Sequence, residues 1–330
     1  MRALVTGATG YIGSELVRAL LRRGDDVRIL ARSATRAAPL VAAGAQLIVG
    51  DLAEPRSVKG SCSGRDVVFH LASAIRGSEA EFARVDIEGT CALVSEAKRA
   101  GVRRLVYPGT LSSYDMVHVR DGALLDEASP FDGTGRLGHY ARAKARAEAI
   151  VLEAHRRGKL EGVIVRLGLT CGTAADIFPP HIGRLVRPNL LVLFGDGRVA
   201  LPLVLLENAV EALILAATTP GIGGEAFNIV DAESLTQRDY ITLYRRVTGS
   251  ALRVVRAPRL AYYALGAATA LAARLKGKDP LITPYRVRAR LRTVRWNCSK
   301  AEQRLLWRSR VPLRAGLTTA FEARQLRAGL

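Results

Sequence analysis

The stretch Met1-Arg2-Ala3-Leu4-Val5-Thr6-Gly7-Ala8-Thr9-Gly10-Tyr11-Ile12-Gly13 decides how the chain is read. Ala3 to Val5 is a short apolar run that reads as a buried strand, and it ends in three spaced glycines. A helical pattern begins at once, with Ile12, Leu16, Val17 and Leu20 on one face. Gly24 closes that helix, and Val27 to Leu30 supplies a second strand. Strand, glycine turn, helix, strand is the order that places a pyrophosphate on a helix N-terminus. Gly7 permits the tight turn, Gly10 lets the backbone approach the phosphates, and Gly13 lets helix and strand pack closely. Tyr11 and Ile12, between the last two glycines, belong to the same expected dinucleotide site.

Working outward, 330 residues suffice for a large core and a smaller appended lobe. With a strand expected from the first residues, no leader peptide is expected ahead of it. Cys62, Cys91, Cys171 and Cys298 are scattered without a CxxC pair, which points to reduced thiols in a cytoplasmic protein and to no metal site. The net charge of +19 is carried mostly by arginine. It suits an anionic cofactor or surface, and no recognition motif accompanies it, so nucleic acid is not an expected partner.

Further strands are expected at Gln46 to Val49, Val67 to Leu71, Leu105 to Tyr107 and Val163 to Val165. Helices are expected near Thr35 to Ala42, Pro55 to Cys62, Ser78 to Ala100 and Leu137 to Arg157. This alternation predicts an α/β fold, a doubly wound parallel Rossmann sheet with a smaller C-terminal substrate lobe. Residues 1–170 would form the dinucleotide-binding domain, with return segments near 203–230. Residues 171–202 and 231–330 would form the substrate lobe.

Tyr140 and Lys144 lie four apart in His139-Tyr140-Ala141-Arg142-Ala143-Lys144, on one face of an expected helix. Thr110 follows the fifth strand, at the carboxyl edge where such sheets bind ligands. A phenol can exchange a proton with an alcohol or ketone near neutrality if an ammonium beside it lowers its pKa. A small hydroxyl can hold the substrate oxygen. Thr110, Tyr140 and Lys144 are therefore the candidate catalytic residues.

With these motifs in view, the chain resembles an extended short-chain dehydrogenase/reductase, of the epimerase/dehydratase and 3β-hydroxysteroid dehydrogenase group. The matching pieces are the glycine stretch, Gly50-Asp51-Leu52, His70-Leu71-Ala72-Ser73, the Thr110 segment, Tyr140 to Lys144, and Glu207-Asn208-Ala209-Val210. The resemblance implies that Asp51, with Leu52, reads the adenine and that the backbone of Leu71, Ala72 and Ser73 lines the cofactor. It also implies that Lys144 holds the ribose, and that Ser78 to Ala100 and Leu137 to Arg157 pair in a homodimer. Two positions depart from the pattern. Asp86 stands where the family usually has Asn, and Arg166-Leu167-Gly168-Leu169 stands where it usually has Arg-Pro-Gly-Asn.

The second strand ends at Ala31, followed by Arg32 with Arg36 nearby, where NAD-preferring relatives carry an acid. An acid would repel a 2′-phosphate and an arginine binds it, so NADP(H) is expected over NAD(H). The alternative is that Arg32 stacks on adenine and both cofactors bind. The expected activity is interconversion of a ketone and a secondary alcohol on a small, largely apolar molecule. Leucines at 169 and 201 replace the Asn and Arg that hold a diphosphate in sugar-nucleotide relatives. A nucleotide-sugar epimerase with retained NAD is the alternative, and a non-catalytic redox sensor a more distant one. Finally, arginines between Arg253 and Arg310 surround the apolar stretch Leu260 to Ala273. That segment could rest on an anionic membrane surface. The preferred reading is a helix covering a substrate pocket.

Overall fold

The structure is a computed structural model that describes the chain apart from residues 76, 159, 276–279, 281, 329 and 330. Seven strands form the central sheet: β1 (Arg2–Thr6), β2 (Asp26–Ala31), β3 (Gln46–Val49), β4 (Val67–His70), β5 (Arg104–Thr110), β6 (Glu161–Leu167) and β7 (Ala226–Ile229). Their order is β7-β6-β5-β4-β1-β2-β3, and every neighbouring pair is parallel. The chain winds one way from β1 to β3 and the other way from β4 onward. Thr6 at the end of β1 therefore lies beside His70 at the end of β4. This reversal point is where a doubly wound sheet opens a crevice for a ligand.

The strands are apolar on both faces because helices cover both. On one side, α1 (Tyr11–Arg22) and α6 (Leu206–Thr218) bury Leu16, Val17, Leu20 and Leu213 against Val5, Ile29, Phe69 and Phe227. On the other, α4 (Gly89–Arg99) and α5 (His139–Arg156) bury Leu93, Ala97, Ala147 and Val151 against Leu4, Val68 and Leu105. The short α2 (Ala34–Ala42) follows β2, with its first turn capped by Ser33.

Two expected helices differ in the structure. Pro55 to Cys62 forms only a single 3₁₀ turn, Pro55–Val58, before Gly60 turns the chain at φ +82°. The helix opening at Ser78 begins as α3 (Glu79–Phe82), with a capping box from Ser78 and Glu81. It then widens into a π segment, Ala83–Glu88, before α4.

The C-terminal lobe has its own apolar cluster, including Leu191, Leu193, Leu201, Tyr240, Leu317 and Phe321. It is built from α7 (Gln237–Thr248), the terminal helix Leu313–Ala328, and a three-stranded sheet of Arg184–Arg187, Leu190–Phe194 and Arg253–Ala257. After that sheet come α8 (Arg259–Leu275) and α9 (Pro284–Leu291). No helix among the described residues is long and apolar enough to cross a membrane.

One buried cation joins the sheet to its return helix. Arg104, fully buried, donates from Nε to Glu161 at 2.7 Å and from Nη1 to the carbonyls of Ala216 at 3.0 Å and Thr219 at 2.5 Å. It thereby satisfies carbonyls at the C-terminus of α6 that have no intrahelical partner. Arg104→Ala would strand those acceptors, at a cost of about 2–4 kcal/mol. Calorimetry should show a melting temperature several degrees lower; an unchanged value would contradict this anchoring role.

Candidate active site

The glycine turn at the end of β1 leaves no space for side chains. Gly7 has φ +67°, and a Cβ there would lie 2.5 Å from the Ala72 nitrogen. A Cβ on Gly13 would lie 2.2 Å from the Gly7 carbonyl oxygen. Gly10 caps α1 without a side-chain hydrogen bond, and the first turn carries no acidic residue. Among the described residues the N–H groups of Tyr11, Ile12 and Gly13 meet no backbone acceptor, whereas Ser14 already bonds to Gly10. Free donors, a helix N-terminus and an absence of side chains fit a pyrophosphate. The backbone of Leu71 and Ala72 lies directly against Gly7, while buried Leu52 packs against Gly89 at the start of α4.

The Tyr11 hydroxyl is buried with no hydrogen-bond partner among the described residues and faces Gly172, where the chain enters the lobe. At the far end of the crevice, Arg32 lies 3.8 Å from Asp51, and Asp51 accepts the Ala53 N–H. Arg32 and Arg36 are exposed at the start of α2.

β5 ends at Thr110, and α5 begins at His139, so the strand end and the first turn of the helix meet over the crevice. Gly138, at φ +111°, admits the chain into α5. Tyr140 is partly buried. Burial, and next the Asp86 carboxylate, push its phenol up to about 12, while a hydrogen bond from Thr110 works the other way. Thr110 Oγ1 also accepts the Ser112 N–H at 3.2 Å.

Lys144, one turn further along, is buried with Nζ 4.1 Å from the centre of the Tyr107 ring. Burial pulls it down to about 8, against the carboxylates of Asp86 and Glu148. The expected lowering of the Tyr140 pKa by Lys144 is therefore not what this geometry gives: burial and Asp86 dominate. A phenol that keeps its proton at neutral pH is placed to donate it to an oxygen gaining negative charge.

Three features that support this site are not legible from spacing. The π segment turns Asp86 inward, where its buried carboxylate accepts from the Ser73 hydroxyl and, at 3.0 Å, from the Ala74 N–H. The carboxylate that stands in place of the usual Asn thus ties the loop after β4 to the neighbourhood of Lys144.

Second, His70 is fully buried between Thr6 Oγ1 at 2.8 Å and Thr90 Oγ1 at 2.9 Å. Thr90 gives its one proton to the Asp86 carbonyl, so His70 carries hydrogen on Nε2 and accepts on Nδ1 from Thr6. Thr6 in turn accepts the Ala72 N–H at 3.3 Å. Burial, with help from Lys144, holds His70 neutral by pulling it down to about 3.

Third, Glu148, one turn beyond Lys144, pairs with buried Arg166 on β6 at 2.5 Å. Arg166 also donates to Tyr114 and to the Glu127 carbonyl. This fixes α5 to the sheet beneath the lysine.

A family model described as the NAD dependent epimerase/dehydratase family matches residues 3–230. The chain belongs to this family. It is similar to the 4-hydroxy-2-methyl-3-oxo-4-farnesyl-3,4-dihydroquinoline-1-oxide ketoreductase of Stigmatella aurantiaca, with 33% identity over 251 residues, 76% of this chain and 74% of the relative. It is also similar to sterol demethylase protein B of Methylococcus capsulatus, with 34% identity over 263 residues, 76% of this chain and 75% of the relative. Among solved structures, UDP-glucose 4-epimerase of Thermotoga maritima has a TM-score of 0.77 at 21% identity, covering 99% of this chain and 100% of the other. That likeness is one of fold. Membership makes this an enzyme family of oxidoreductases and epimerases that bind NAD. When bound, the dinucleotide supplies the two-electron redox chemistry. The glycine turn and the free N–H groups of Tyr11, Ile12 and Gly13 would hold its phosphates.

Two outcomes follow from these positions. Tyr140→Phe should lower turnover about 10²–10⁴-fold while dinucleotide binding persists; near-normal turnover would exclude Tyr140 as the proton donor. If Lys144 must be charged, the rate falls as pH rises through about 8. Asp86 raises the lysine, so Asp86→Asn moves this alkaline limb to lower pH. A shift of one unit would cost on the order of fivefold at pH 8. A limb that stays in place in the pH–rate profile would remove Asp86 from this role.

Proposed function

We propose that this chain is an NADP(H)-preferring reductase that interconverts a ketone and a secondary alcohol on a small, largely apolar molecule. The observation that carries the reading is the meeting of Thr110, Tyr140 and Lys144 beside the glycine cradle, with the phenol held protonated. Tyr140 gives its proton to the substrate oxygen, Thr110 orients that oxygen, and the Lys144 ammonium holds the ribose. A group that remains protonated at neutrality can supply the proton that ketone reduction consumes.

The cofactor preference is supported by the end of β2. No acid follows Ala31 there; Arg32, Arg36 and the Ser33-capped start of α2 make a setting for a 2′-phosphate. Asp51 lies near Arg32, whereas Arg36 is in no ion pair among the described residues, so Arg36 carries the larger share of that recognition.

The apolar substrate is supported by the lobe. Leu201 is buried in its apolar cluster and Leu169 packs against it, so neither position offers a donor to a diphosphate. The names of the two relatives, one a farnesylated quinoline oxide reductase and one a sterol protein, agree with that chemistry.

Titration with each dinucleotide tests the first part. NADPH should bind more tightly than NADH, and Arg36→Ala should weaken NADPH by about tenfold with little effect on NADH. Equal or tighter NADH binding would refute the preference. Hydrophobic cyclic ketones and β-keto compounds, offered beside UDP- and GDP-sugars, test the second part. Saturable turnover of a nucleotide sugar alone would overturn it.

A further inference from the structure

The reading above leaves α8 unexplained. Its buried side is narrow: only Tyr262 and Gly266 are buried. Tyr262 stacks on Phe194 of the three-stranded sheet, with ring centres 3.9 Å apart and planes within 11°. A Cβ on Gly266 would lie 3.0 Å from the Thr283 carbonyl carbon, so α9 approaches closely there. The opposite side faces solvent and is apolar throughout. Leu260 is 79% exposed, Leu271 61% and Leu275 80%, with Ala264, Leu265 and Ala268 exposed between them. The chain carries no charged residue from Leu260 to Ala273. A surface helix normally turns its apolar stripe inward and its charges outward. This one is inverted.

The neighbouring sheet repeats the pattern. Leu191 and Leu193 enter the lobe's core, while Val192 aligns with Val255 on one side and Arg184 on the other. Val255 and Val186 are about half exposed. Arg184, Arg187 and Arg253 are exposed, and among the described residues none is in an ion pair. Arg259 lies 3.9 Å from Asp196, and Arg274 stands at the far end of α8. In the sequence from Arg253 to Arg295, Asp279 is the one acidic residue.

We propose that α8 and the outer face of this sheet dock on a lipid bilayer that contains anionic lipid. A helix too short to span, apolar on its open side and edged by arginine, suits the boundary between headgroups and acyl chains. Charge complementarity selects this occupant. Pairing the face with a second copy would bring two arginine rims together with almost no acid to offset them. A nucleic acid would satisfy the rim and leave the leucines in water.

The placement has a use. α9 follows α8, and its Tyr285 donates to Asp132 at 2.9 Å, while Arg286 donates to the Arg136 carbonyl and lies against Gly138. Docking therefore sets the bilayer near the segment that leads into Tyr140. An apolar ketone dissolved in lipid would have a short path to the site; that last clause rests on the proposed function, and the docking does not.

Co-sedimentation of the full chain with vesicles tests the docking without any turnover, so either reading can fail alone. The chain should sediment with vesicles of phosphatidylcholine mixed with phosphatidylglycerol, more weakly with phosphatidylcholine alone, and less as salt is raised. Replacing the exposed leucines together, Leu260→Ser, Leu271→Ser and Leu275→Ser, should lower the partition coefficient at least about tenfold with an unchanged melting temperature. The double variant Arg184→Glu, Arg253→Glu should do the same from the electrostatic side, and it keeps the test valid if the serine variant melts early. No sedimentation with the mixed vesicles, equal binding to phosphatidylcholine alone, or undiminished binding by the charge-reversed variant would each overturn the proposal. So would light scattering that shows the serine variant turning from dimer to monomer, since the face would then belong to a second copy.

Discussion

The rest of the structure depends on one close approach, that of the Gly7 backbone to Leu71 and Ala72. At 2.5 Å from a virtual Cβ to the Ala72 nitrogen, the two loops touch main chain to main chain. Only glycine fits there, both for space and for a φ of +67°. This contact fixes the two sides of the crevice at the point where strand order reverses. Gly13 repeats the constraint from the helix side and aims the first turn of α1 into the same gap. The shape of the glycine turn is thus a consequence of packing.

Behind the cradle, polar groups are buried in a directed order. From the Ala72 N–H through Thr6, His70 and Thr90 to the Asp86 carbonyl, each donor has one acceptor, and the threonines fix the tautomer of the histidine. Such a chain is favourable in a low-dielectric interior only when every member is satisfied. It couples the loop after β4 to the π segment that carries Asp86. The same carboxylate then acts on two neighbours in one sense, favouring the protonated form of both the Lys144 ammonium and the Tyr140 phenol. Glu148 shares the first task and is itself neutralised by Arg166. Removing a single partner from this group would leave a buried charge uncompensated, which is more costly than removing a pair.

The lobe follows a different logic. Its core is apolar and closed around Leu193, Tyr240 and Phe321, but α8 contributes little to it. Sequence reading favoured a helix laid over a substrate pocket. The structure buries only one turn's worth of its residues, and most of its leucines face outward.

The sequence by itself determined the doubly wound sheet, the glycine turn, and the placing of Thr110, Tyr140 and Lys144 at one edge. Those features are local: period-two and period-3.6 patterns, glycine spacing, and a four-residue interval state which side a residue faces. Only the tertiary structure decided what stands opposite. The π segment inserts one residue into a helical repeat that looks regular in sequence, and so it turns Asp86 toward Ser73. The Glu148–Arg166 pair joins a helix to a strand 18 residues later, and Arg286 meets Gly138 across 148 residues (286 − 138). No periodicity encodes such pairings. They arise because burying a charge or a close glycine contact demands a partner, and the partner is chosen by the packing of distant elements.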